Sequence, residues 1–278
     1  MATTLKKTAL VTGAAKGIGS EMARLMARQD YNLILVDLKE SLLLDLKKSI
    51  LDTSPEIDVQ LLCLDLCQDD AAASIHAQLK EASKTVNVLI NNAGFGTLGF
   101  FHEIDWDRER RMIRLHVETL THLTKLFLKD MIEGGSGRIL NVASVAGFQP
   151  SPLMAVYNAT KAYILSFSEA IANEVAGTGV TVTVLCPGLT RTGFQATVGA
   201  GDPAFTKNQL YSSSAEEVAR FGINAMLRGR TVAVPGIMNK IFTTAYRFLP
   251  RKMVTRMLRK IQEKNRSFLT KAQSDHPA

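Results

Sequence analysis

The amino-acid sequence predicts an α/β fold in which helices cover both faces of a doubly wound parallel sheet. Short runs rich in Val, Ile and Leu alternate with longer segments of helical periodicity for most of the chain. Strand–helix–strand repetition of this kind implies right-handed crossovers between parallel strands, in a sheet of about seven strands. Runs that are apolar almost throughout, such as Asn32–Asp37, are typical of strands buried on both faces.

The bounds of the elements follow from where each pattern starts and stops. Strands are expected at residues 8–14, 32–38, 58–66, 86–91, 138–143, 180–186 and 231–234, and helices at 18–29, 40–52, 69–84, 105–133, 154–176 and 214–227. Asp69 is placed to cap the third helix, and Ser214 with Glu217 forms a capping-box pattern at the start of the sixth. No repeat or linker splits residues 1–236, which we expect to form one domain.

Composition favours an ordinary globular protein. The 278 residues suit one α/β domain, because a hydrophobic content of 46% allows a large core and a charged content of 21% argues against disorder. The residues before Thr8 lack the apolar stretch of a signal peptide, and no run approaches roughly 18 apolar residues, so we expect a cytoplasmic, soluble protein. Three cysteines make no disulfide framework, and we expect them to be reduced, with no metal site.

A glycine-rich turn, Thr12-Gly-Ala-Ala-Lys-Gly-Ile-Gly19, follows the first predicted strand directly. Its three glycines, Gly13, Gly17 and Gly19, let the backbone turn sharply and approach a pyrophosphate without hindrance from a Cβ atom. The helix that follows offers unpaired N–H groups to the anion. A strand, this turn and a helix in that order predict a Rossmann-type dinucleotide site.

Further motifs follow in the order typical of one family. They are Asp65 after the third strand, Asn91-Asn-Ala-Gly94 after the fourth, Ser144 after the fifth, Tyr157-Asn-Ala-Thr-Lys161, and Pro187-Gly188 after the sixth. Together with the glycine turn they resemble the short-chain dehydrogenase/reductase family over roughly residues 5–236. The resemblance implies an NAD(P)-dependent oxidoreductase that moves a hydride between nicotinamide and a hydroxyl/carbonyl pair.

The resemblance also implies a role for each motif. Asp65 would accept a hydrogen bond from the adenine amino group, with helix capping as the alternative. Pro187 and Gly188 would shape the chain around the nicotinamide, and Thr192 or Thr190 would hold its carboxamide or the nearby phosphate. The residues expected to bind the dinucleotide are Gly13, Lys16, Gly17, Ile18, Gly19, Asp37, Asp65, Leu66, Asn91, Ala93, Gly94, Tyr157, Lys161, Pro187, Gly188, Thr190 and Thr192.

The expected acid/base is Tyr157. It lies four residues before Lys161 in a predicted helix, so the two share one face. A free tyrosine has a pKa of about 10, which a neighbouring ammonium lowers by favouring the phenolate. A tyrosine tuned in this way can take a proton from an alcohol or donate one to a carbonyl. The resemblance adds Ser144, which would hydrogen-bond the substrate oxygen, and places Lys161 on the nicotinamide ribose as well.

One candidate catalytic position departs from the family pattern. Where the family usually has an Asn in the long helix, this chain reads Met112-Ile-Arg-Leu-His116-Val117. The Asn is thought to hold a water that connects the catalytic lysine to solvent. His116 can also donate and accept hydrogen bonds and titrates near neutrality. It therefore replaces that relay, makes activity unusually pH-sensitive, or is a packed histidine beside an altered site.

The end of the second strand bears on the choice of dinucleotide. Asp37 lies where a carboxylate binds both adenine ribose hydroxyls and repels a 2′-phosphate. Lys16 and Lys39 favour the phosphate instead. Because like charges in close contact should outweigh one flexible lysine, NAD(H) is favoured over NADP(H).

The substrate pocket would draw on residues 95–101, 145–149, 153 and 189–201, with 194–203 as a lid. These residues are mostly apolar or small, which favours a moderately hydrophobic ketone or secondary alcohol. By analogy with the family, a homodimer or homotetramer is expected. The alternative is a dinucleotide-binding regulatory or scaffold protein with little catalysis, possibly on a membrane, which His116 and a basic tail favour and the intact Ser–Tyr–Lys set opposes.

That basic tail, residues 237–278, forms an extension beyond the domain. It has ten Lys or Arg and two acidic residues, a net charge of +8. Because the whole chain has a net charge of +7, residues 1–236 have a net charge of −1. Apolar residues recur in it at helical spacing on both sides of Pro250. Three interpretations stay open: the helices pack over the substrate pocket or a partner subunit, lie on an anionic membrane surface, or contact another acidic partner. Nothing resembles a base-reading module, so nucleic acid is not expected.

Overall fold

The computed structural model of the chain describes residues 6–192 and 212–274. Its strands are β1 (Thr8–Thr12), β2 (Asn32–Asp37), β3 (Val59–Cys63), β4 (Val88–Asn91), β5 (Gly137–Val142), β6 (Val180–Leu185), β7 (Thr190–Arg191), β8 (Ser213–Ser214) and β9 (Val232–Ala233). Its helices are α1 (Gly17–Ala27), α2 (Glu40–Thr53), α3 (Ala71–Glu81), α4 (Trp106–Ile113), α5 (Leu120–Glu133), α6 (Ala155–Glu174), α7 (Ala215–Leu227), α8 (Ile237–Ala245) and α9 (Arg251–Ser274).

Seven of these strands form one sheet in the order β3-β2-β1-β4-β5-β6-β9, and every pairing in it is parallel. The doubly wound sheet predicted from the sequence is therefore confirmed. The strand order reverses between β1 and β4, so the loops that follow these two strands diverge and leave a crevice at the carboxyl edge of the sheet. The short strands β7 and β8 pair separately.

Hydrophobic cores lie on both faces of the sheet. Leu10 and Val11 are neighbours in β1 and both are fully buried, yet they belong to different clusters, because successive side chains of a strand point to opposite faces. The cluster around Val11 takes Met22 from α1, and the cluster around Leu10 takes Phe127 from α5 and Ile171 from α6. Helices packed on both sides fix the position of the strand ends that build the site.

Two local predictions have different outcomes. The capping box of α7 is confirmed, since the Ser214 side chain accepts from the Glu217 N–H and the Glu217 side chain accepts from the Ser214 N–H. The prediction that Asp69 caps the third helix is wrong. Asp70 holds the N-cap position, with φ 58° and no side-chain capping bond. Asp69 instead pairs with Arg114 at 2.5 Å, a cation that is distant in sequence.

The predicted long helix at 105–133 is also modified. It consists of α4 and α5 joined by a π-helical turn, Arg114–Thr119, which carries His116. A π-turn inserts an extra residue into the helical ladder and is frequent at functional sites. Here it lies against α6, where it brings His116 close to the ring of Tyr157.

The C-terminal helices pack on the body, α8 beside Gly188 and α9 through one of its faces. Val254 and Leu258 are buried, Gln262 lies within 3.5 Å of both Ser151 and Met154, and Arg266 pairs with Glu103 at 2.8 Å. This confirms, for α9, the interpretation that the tail packs over the pocket. Across residues 6–192 and 212–274, no helix is long and apolar enough to cross a bilayer.

Candidate active site

A cavity of about 630 Å³ opens at the carboxyl edge of the sheet, beside the point where the strand order reverses. Its wall is formed by the glycine turn, the loops after β2 to β6, α4, the π-helical turn, α6 and one tail residue. The predicted site residues that line it are Gly13, Lys16, Gly17, Ile18, Asp37, Asp65, Leu66, Ala93, Gly94, Ser144, Tyr157, Lys161, Pro187, Gly188, Thr190 and Thr192. Gly19, Asn91 and His116 do not line it.

The glycine turn has the geometry that a bound phosphate requires. Gly13 and Gly17 both have φ +63°, a region that side-chain-bearing residues rarely adopt. A Cβ atom on Gly19 would lie 2.1 Å from the Gly13 carbonyl oxygen, so only glycine lets α1 start this close to the turn. At the start of α1 the N-cap residue Lys16 makes no side-chain capping bond, and the first turn has no acidic residue. The first N–H groups of α1 therefore lack an internal anion, which fits a pyrophosphate.

The ends of β1 and β4 are tied together beneath this turn. Thr12 Oγ1 accepts from the backbone N–H groups of Asn92 and Ala93, at 3.0 and 3.1 Å. The Asn92 side chain donates in return to the carbonyls of Thr12 and Gly13, both at 3.0 Å. These bonds hold the glycine turn at a fixed distance from the loop that carries Gly94.

Asp37 is fixed at the end of β2, against the glycine turn. Its Oδ2 accepts from the Ala15 N–H at 3.0 Å, and its Oδ1 accepts from the N–H groups of Leu38 and Lys39 at 2.8 and 3.3 Å. The carboxylate therefore faces the cavity at one defined place. Lys16 and Lys39 line the same region of the cavity wall.

Asp65 is held in an ion pair that the sequence did not reveal. Its Oδ2 lies 2.8 Å from the Arg111 guanidinium and its Oδ1 accepts from the Cys67 N–H at 2.9 Å. Burial alone would raise the pKa of Asp65, but the bonds from Cys67 and Arg111 outweigh burial and lower it. The side chains of Asp65 and Arg111 both line the cavity. Asp65 makes no capping bond to α3.

Ser144 and Tyr157 are brought together by the close approach of a 3₁₀ turn, Val145–Phe148, to α6. A Cβ on Gly147, in this turn, would lie 2.6 Å from the Lys161 carbonyl oxygen, so glycine permits the contact. The Asn158 amide then fastens the turn to α6 by donating to the Ala146 and Gln149 carbonyls at 2.8 and 2.9 Å.

Ser144 is set up to donate a hydrogen bond. Its Oγ accepts from the Ala146 N–H at 3.1 Å, and its own proton can be donated to the Pro187 carbonyl, 3.4 Å away, or to the Tyr157 hydroxyl. Ser144 is also a hydrogen-bond partner of Tyr157. The serine hydroxyl can therefore donate to an oxygen atom in the cavity.

Burial dominates the titration of Tyr157 and Lys161. It raises the pKa of Tyr157 to about 12, with the bond to Ser144 acting in the opposite direction, and it lowers the pKa of Lys161 to about 8. Lys161 Nζ lies 5.8 Å from the centre of the Tyr157 ring and donates to the Val142 carbonyl at 2.9 Å. The prediction that the ammonium lowers the tyrosine pKa is wrong for this structure, because both groups are desolvated.

His116 is buried behind the cavity wall, with 1% of its surface exposed. Thr160 Oγ1 lies 2.8 Å from the Tyr157 carbonyl and 2.9 Å from His116 Nδ1, so this one hydroxyl links the imidazole to the first turn of α6. Nε2 has no hydrogen-bond partner among residues 6–192 and 212–274. It faces Gly94, where a Cβ would lie 2.7 Å away.

The protonation state of His116 corrects one sequence prediction. Burial, with the nearby Lys161 ammonium as a second cause, lowers the pKa of His116 well below its usual range. The imidazole is therefore neutral at physiological pH, and the prediction that it titrates near neutrality is wrong. The ring is bonded to Thr160, packs edge-on to Tyr157 and lies against Gly94.

Asn91 lies in the sheet interior. Its amide donates to Thr124 Oγ1 at 3.1 Å and to Asn141 Oδ1 at 2.9 Å, and Asn141 donates to Ser168 Oγ at 3.0 Å. This buried network joins β4 and β5 to the helices packed on them. Asn91 thus supports the strand end from which Gly94 and Ser144 emerge.

Several site residues were missed by sequence reasoning. Arg111, Met154 and Gln262 line the cavity, and Asn158 fastens the 3₁₀ turn. The Tyr157-Asn-Ala-Thr-Lys161 motif already contained Asn158, and Met154 lies three residues before it, but Arg111 and Gln262 are distant from it in sequence. Of the predicted substrate pocket, Phe95, Val145, Ala146 and Leu189 line the cavity and Leu153 does not, while the predicted lid at 194–203 lies outside the described residues.

A doubly wound parallel sheet with a glycine turn at its switch point and a Ser–Tyr–Lys wall beside it defines a nucleotide-dependent oxidoreductase. The chain belongs to the short-chain dehydrogenase family, whose model, described as "short chain dehydrogenase", matches residues 7–203. It is an oxidoreductase of that family.

Three known proteins illustrate the relationship. Sulfoacetaldehyde reductase 2 of Chromohalobacter salexigens is 34% identical over 216 residues, which cover 76% of this chain and 84% of the relative. A short-chain dehydrogenase from Sphingobium yanoikuyae, solved in complex with NADPH, has 29% identity and a TM-score of 0.78, covering 86% of this chain and 92% of that one. A short-chain dehydrogenase/reductase from Burkholderia phymatum, solved with NAD, has 24% identity and a TM-score of 0.76, covering 91% and 95%, and shows the shared fold.

Proposed function

We propose that the protein interconverts a ketone and a secondary alcohol with a nicotinamide dinucleotide, and that Tyr157 transfers the proton. The observation that carries the proposal is the convergence of Ser144, Tyr157 and Lys161 on the wall of a cavity that continues to the glycine turn. The dinucleotide, when bound, supplies or accepts the hydride.

Each of the three residues has a distinct task. Tyr157 donates its phenolic proton to the substrate oxygen in reduction and takes it back in oxidation. Because burial raises the pKa of Tyr157 to about 12, the phenol is protonated at neutral pH, which favours its use as the acid in carbonyl reduction. Ser144 donates a second hydrogen bond to that oxygen and stabilises its developing negative charge. Lys161 holds the nicotinamide ribose.

For the rest of the dinucleotide, we assign the pyrophosphate to the turn formed by Gly13, Gly17 and the start of α1. The adenine amino group would be held by Asp65, which the pair with Arg111 fixes in place. Pro187, Gly188, Thr190 and Thr192 would border the nicotinamide, since all four line the cavity.

We propose a preference for NAD(H) over NADP(H). Asp37 is held by three backbone N–H groups at the rim of the turn, so it cannot swing away from a 2′-phosphate. Lys16 and Lys39 are flexible by comparison and also line the wall. Among the structural relatives, both an NADPH and an NAD complex occur. Asp37→Asn should tighten NADPH binding by roughly tenfold and leave NADH binding less changed.

The substrate we propose is a moderately hydrophobic ketone or secondary alcohol. Apolar side chains from separate parts of the chain line the cavity that Ser144 and Tyr157 also line, namely Phe95, Leu115, Val145, Met154 and Leu189. Gln262 of α9 contributes a polar group to the wall. We also propose a homo-oligomer, as is usual in the family.

The test starts with fluorescence titrations of the protein with NADH and NADPH, followed by a screen of ketones. Tyr157→Phe should lower kcat by at least roughly a hundredfold and leave the Kd for NADH unchanged. Tyr163→Phe is the matched control, because Tyr163 is a half-exposed tyrosine on the same helix whose hydroxyl bonds to Thr121 outside the cavity. Near-normal turnover in Tyr157→Phe would disprove the acid/base assignment.

Two other outcomes would change the function itself. If neither dinucleotide binds, the oxidoreductase proposal fails at its first step. If NADH binds but no carbonyl substrate is reduced at any pH, the alternative of a dinucleotide-binding regulatory protein becomes the better account.

A further inference from the structure

The tail carries many exposed apolar side chains that its packing on the body leaves uncovered. Sixteen large apolar residues are exposed in the described chain, and nine of them lie between residues 237 and 261. The most exposed of these nine are Phe248 at 83%, Ile237 at 69% and Met238 at 60%. We call this set the tail apolar face: Ile237, Met238, Ile241, Phe242, Phe248, Leu249, Met253, Met257 and Ile261.

In α9 the tail apolar face lies beside the stripe that packs on the body. Val254 and Leu258 are buried, whereas Met253, Met257 and Ile261 are 47%, 43% and 40% exposed. The two stripes are one residue out of step, which is a rotation of about 100° around the helix. The exposed stripe is therefore separate from the side of α9 that packs on the body. It is a second apolar surface that points elsewhere.

Basic side chains flank the exposed stripe on the side away from the body. At about 100° per residue, four of them occupy the sector between Met253 and the polar back of the helix, and Lys264 lies between Met253 and Met257. They are exposed, and they are Lys252, Arg256, Arg259, Lys260 and Lys264. Glu263 pairs with Arg259 at 2.7 Å and is the one acidic residue of α9. Apolar residues bordered by Lys and Arg are the arrangement of helices that lie in the interface of a bilayer.

Charge favours an anionic bilayer over a second copy of this chain as the occupant of such a face. Residues 237–278 carry ten basic and two acidic residues, whereas the rest of the chain is nearly neutral. A second copy docked by the same face would bring the same cations against each other across a two-fold interface, where like charges repel. An anionic lipid surface attracts those cations while its acyl region takes up the apolar side chains.

We propose that the tail apolar face of α8 and α9 is a docking surface for an anionic bilayer, on which the protein sits as a peripheral membrane protein. The proposal does not depend on the proposed function, because none of the nine apolar residues lines the cavity. α9 contributes both to the active-site wall, through Gln262, and to this surface. The enzyme therefore docks through the same helix that covers its cavity.

The experiment is co-sedimentation of the full chain with vesicles of phosphatidylcholine alone or mixed with phosphatidylglycerol. The protein should sediment with the anionic vesicles, remain in the supernatant with phosphatidylcholine alone, and be released by high salt. Each basic residue near an anionic surface contributes roughly a fivefold factor in partitioning. The triple change Lys252→Gln, Arg256→Gln, Lys260→Gln should therefore weaken binding by roughly a hundredfold.

A second variant tests the apolar contribution. Met253→Gln, Met257→Gln and Ile261→Gln together remove the exposed stripe of α9 and leave the buried stripe unchanged, and they should weaken binding to a similar extent. The matched charge control is Lys48→Gln, Lys125→Gln, Lys129→Gln, which removes three exposed lysines from α2 and α5. It should sediment like the unaltered protein. An unchanged Kd for NADH would show that each variant remains folded.

Three results would overturn the proposal. They are failure of the unaltered protein to sediment with anionic vesicles, sedimentation of both tail variants like the unaltered protein, or equal loss in the lysine control. If vesicle binding is absent and light scattering shows a dimer that the apolar variant dissociates, the occupant is a second copy. Tyr157→Phe should bind vesicles normally, which separates this proposal from the catalytic one.

Discussion

The contact between Gly94 and His116 offers a quantitative test of how the site is built. A Cβ atom added at Gly94 would lie 2.7 Å from His116 Nε2, closer than side-chain atoms approach in folded proteins. The imidazole cannot give way easily, since it is buried, bonded to Thr160 at 2.9 Å, and packed edge-on to Tyr157 with ring centres 6.1 Å apart. Gly94→Ala should therefore cost about 2 kcal/mol of unfolding free energy, within the usual range for overpacking.

A double-mutant cycle isolates this contact. His116→Asn replaces the ring by a shorter side chain, which removes the atom that the new methyl group would meet. In that background Gly94→Ala should be nearly neutral, and the coupling energy should be roughly 2 kcal/mol. Effects of the alanine on the unfolded chain cancel in the cycle. The free energies come from urea unfolding of the four proteins under identical conditions.

Gly134→Ala is the control, because Gly134 has φ −80° and the nearest heavy atom to its Cβ would be 3.4 Å away. It should show no coupling to His116→Asn. Additive effects of Gly94→Ala and His116→Asn would refute the close contact between these two residues.

Two further predictions concern α6. Burial lowers the pKa of Lys161 from 10.5 to about 8 in the folded protein, so folding favours the neutral amine. The cost of burying the charged ammonium therefore lowers the stability fully below pH 8, and this cost disappears as the pH rises through 10.5. The free energy of unfolding, measured in urea, should therefore change in favour of Lys161→Met by roughly 2 kcal/mol more at pH 7 than at pH 10. A difference between the two proteins that does not depend on pH would contradict this. Asn158→Ala leaves the Ala146 and Gln149 carbonyls without their donor, so it should cost about 2 kcal/mol. Because the turn that carries Ser144 loosens, kcat should also fall in steady-state assays, and a stability loss with unchanged kcat would show that the turn holds its place without Asn158.

Local patterns in the sequence determined the order of strands and helices and most of the cavity wall. Apolar runs and helical periodicity report which face of each element is buried, and that is a property of neighbouring residues. The glycine turn, Asp37 and Ser144 each follow the end of a parallel strand, and such ends meet at one edge of the sheet. Tyr157 and Lys161 share a helix face through their spacing alone. Their convergence on one cavity was therefore predictable.

The tertiary structure alone decided the electrostatics and the long-range contacts. The pKa values of Tyr157 and Lys161 depend on how completely several elements exclude water from both groups, and spacing along one helix carries no such information. The same holds for the neutral state of His116. The pairing of Asp65 with Arg111 and the arrival of Gln262 at the cavity join segments distant in sequence, so only the packed chain brings them together.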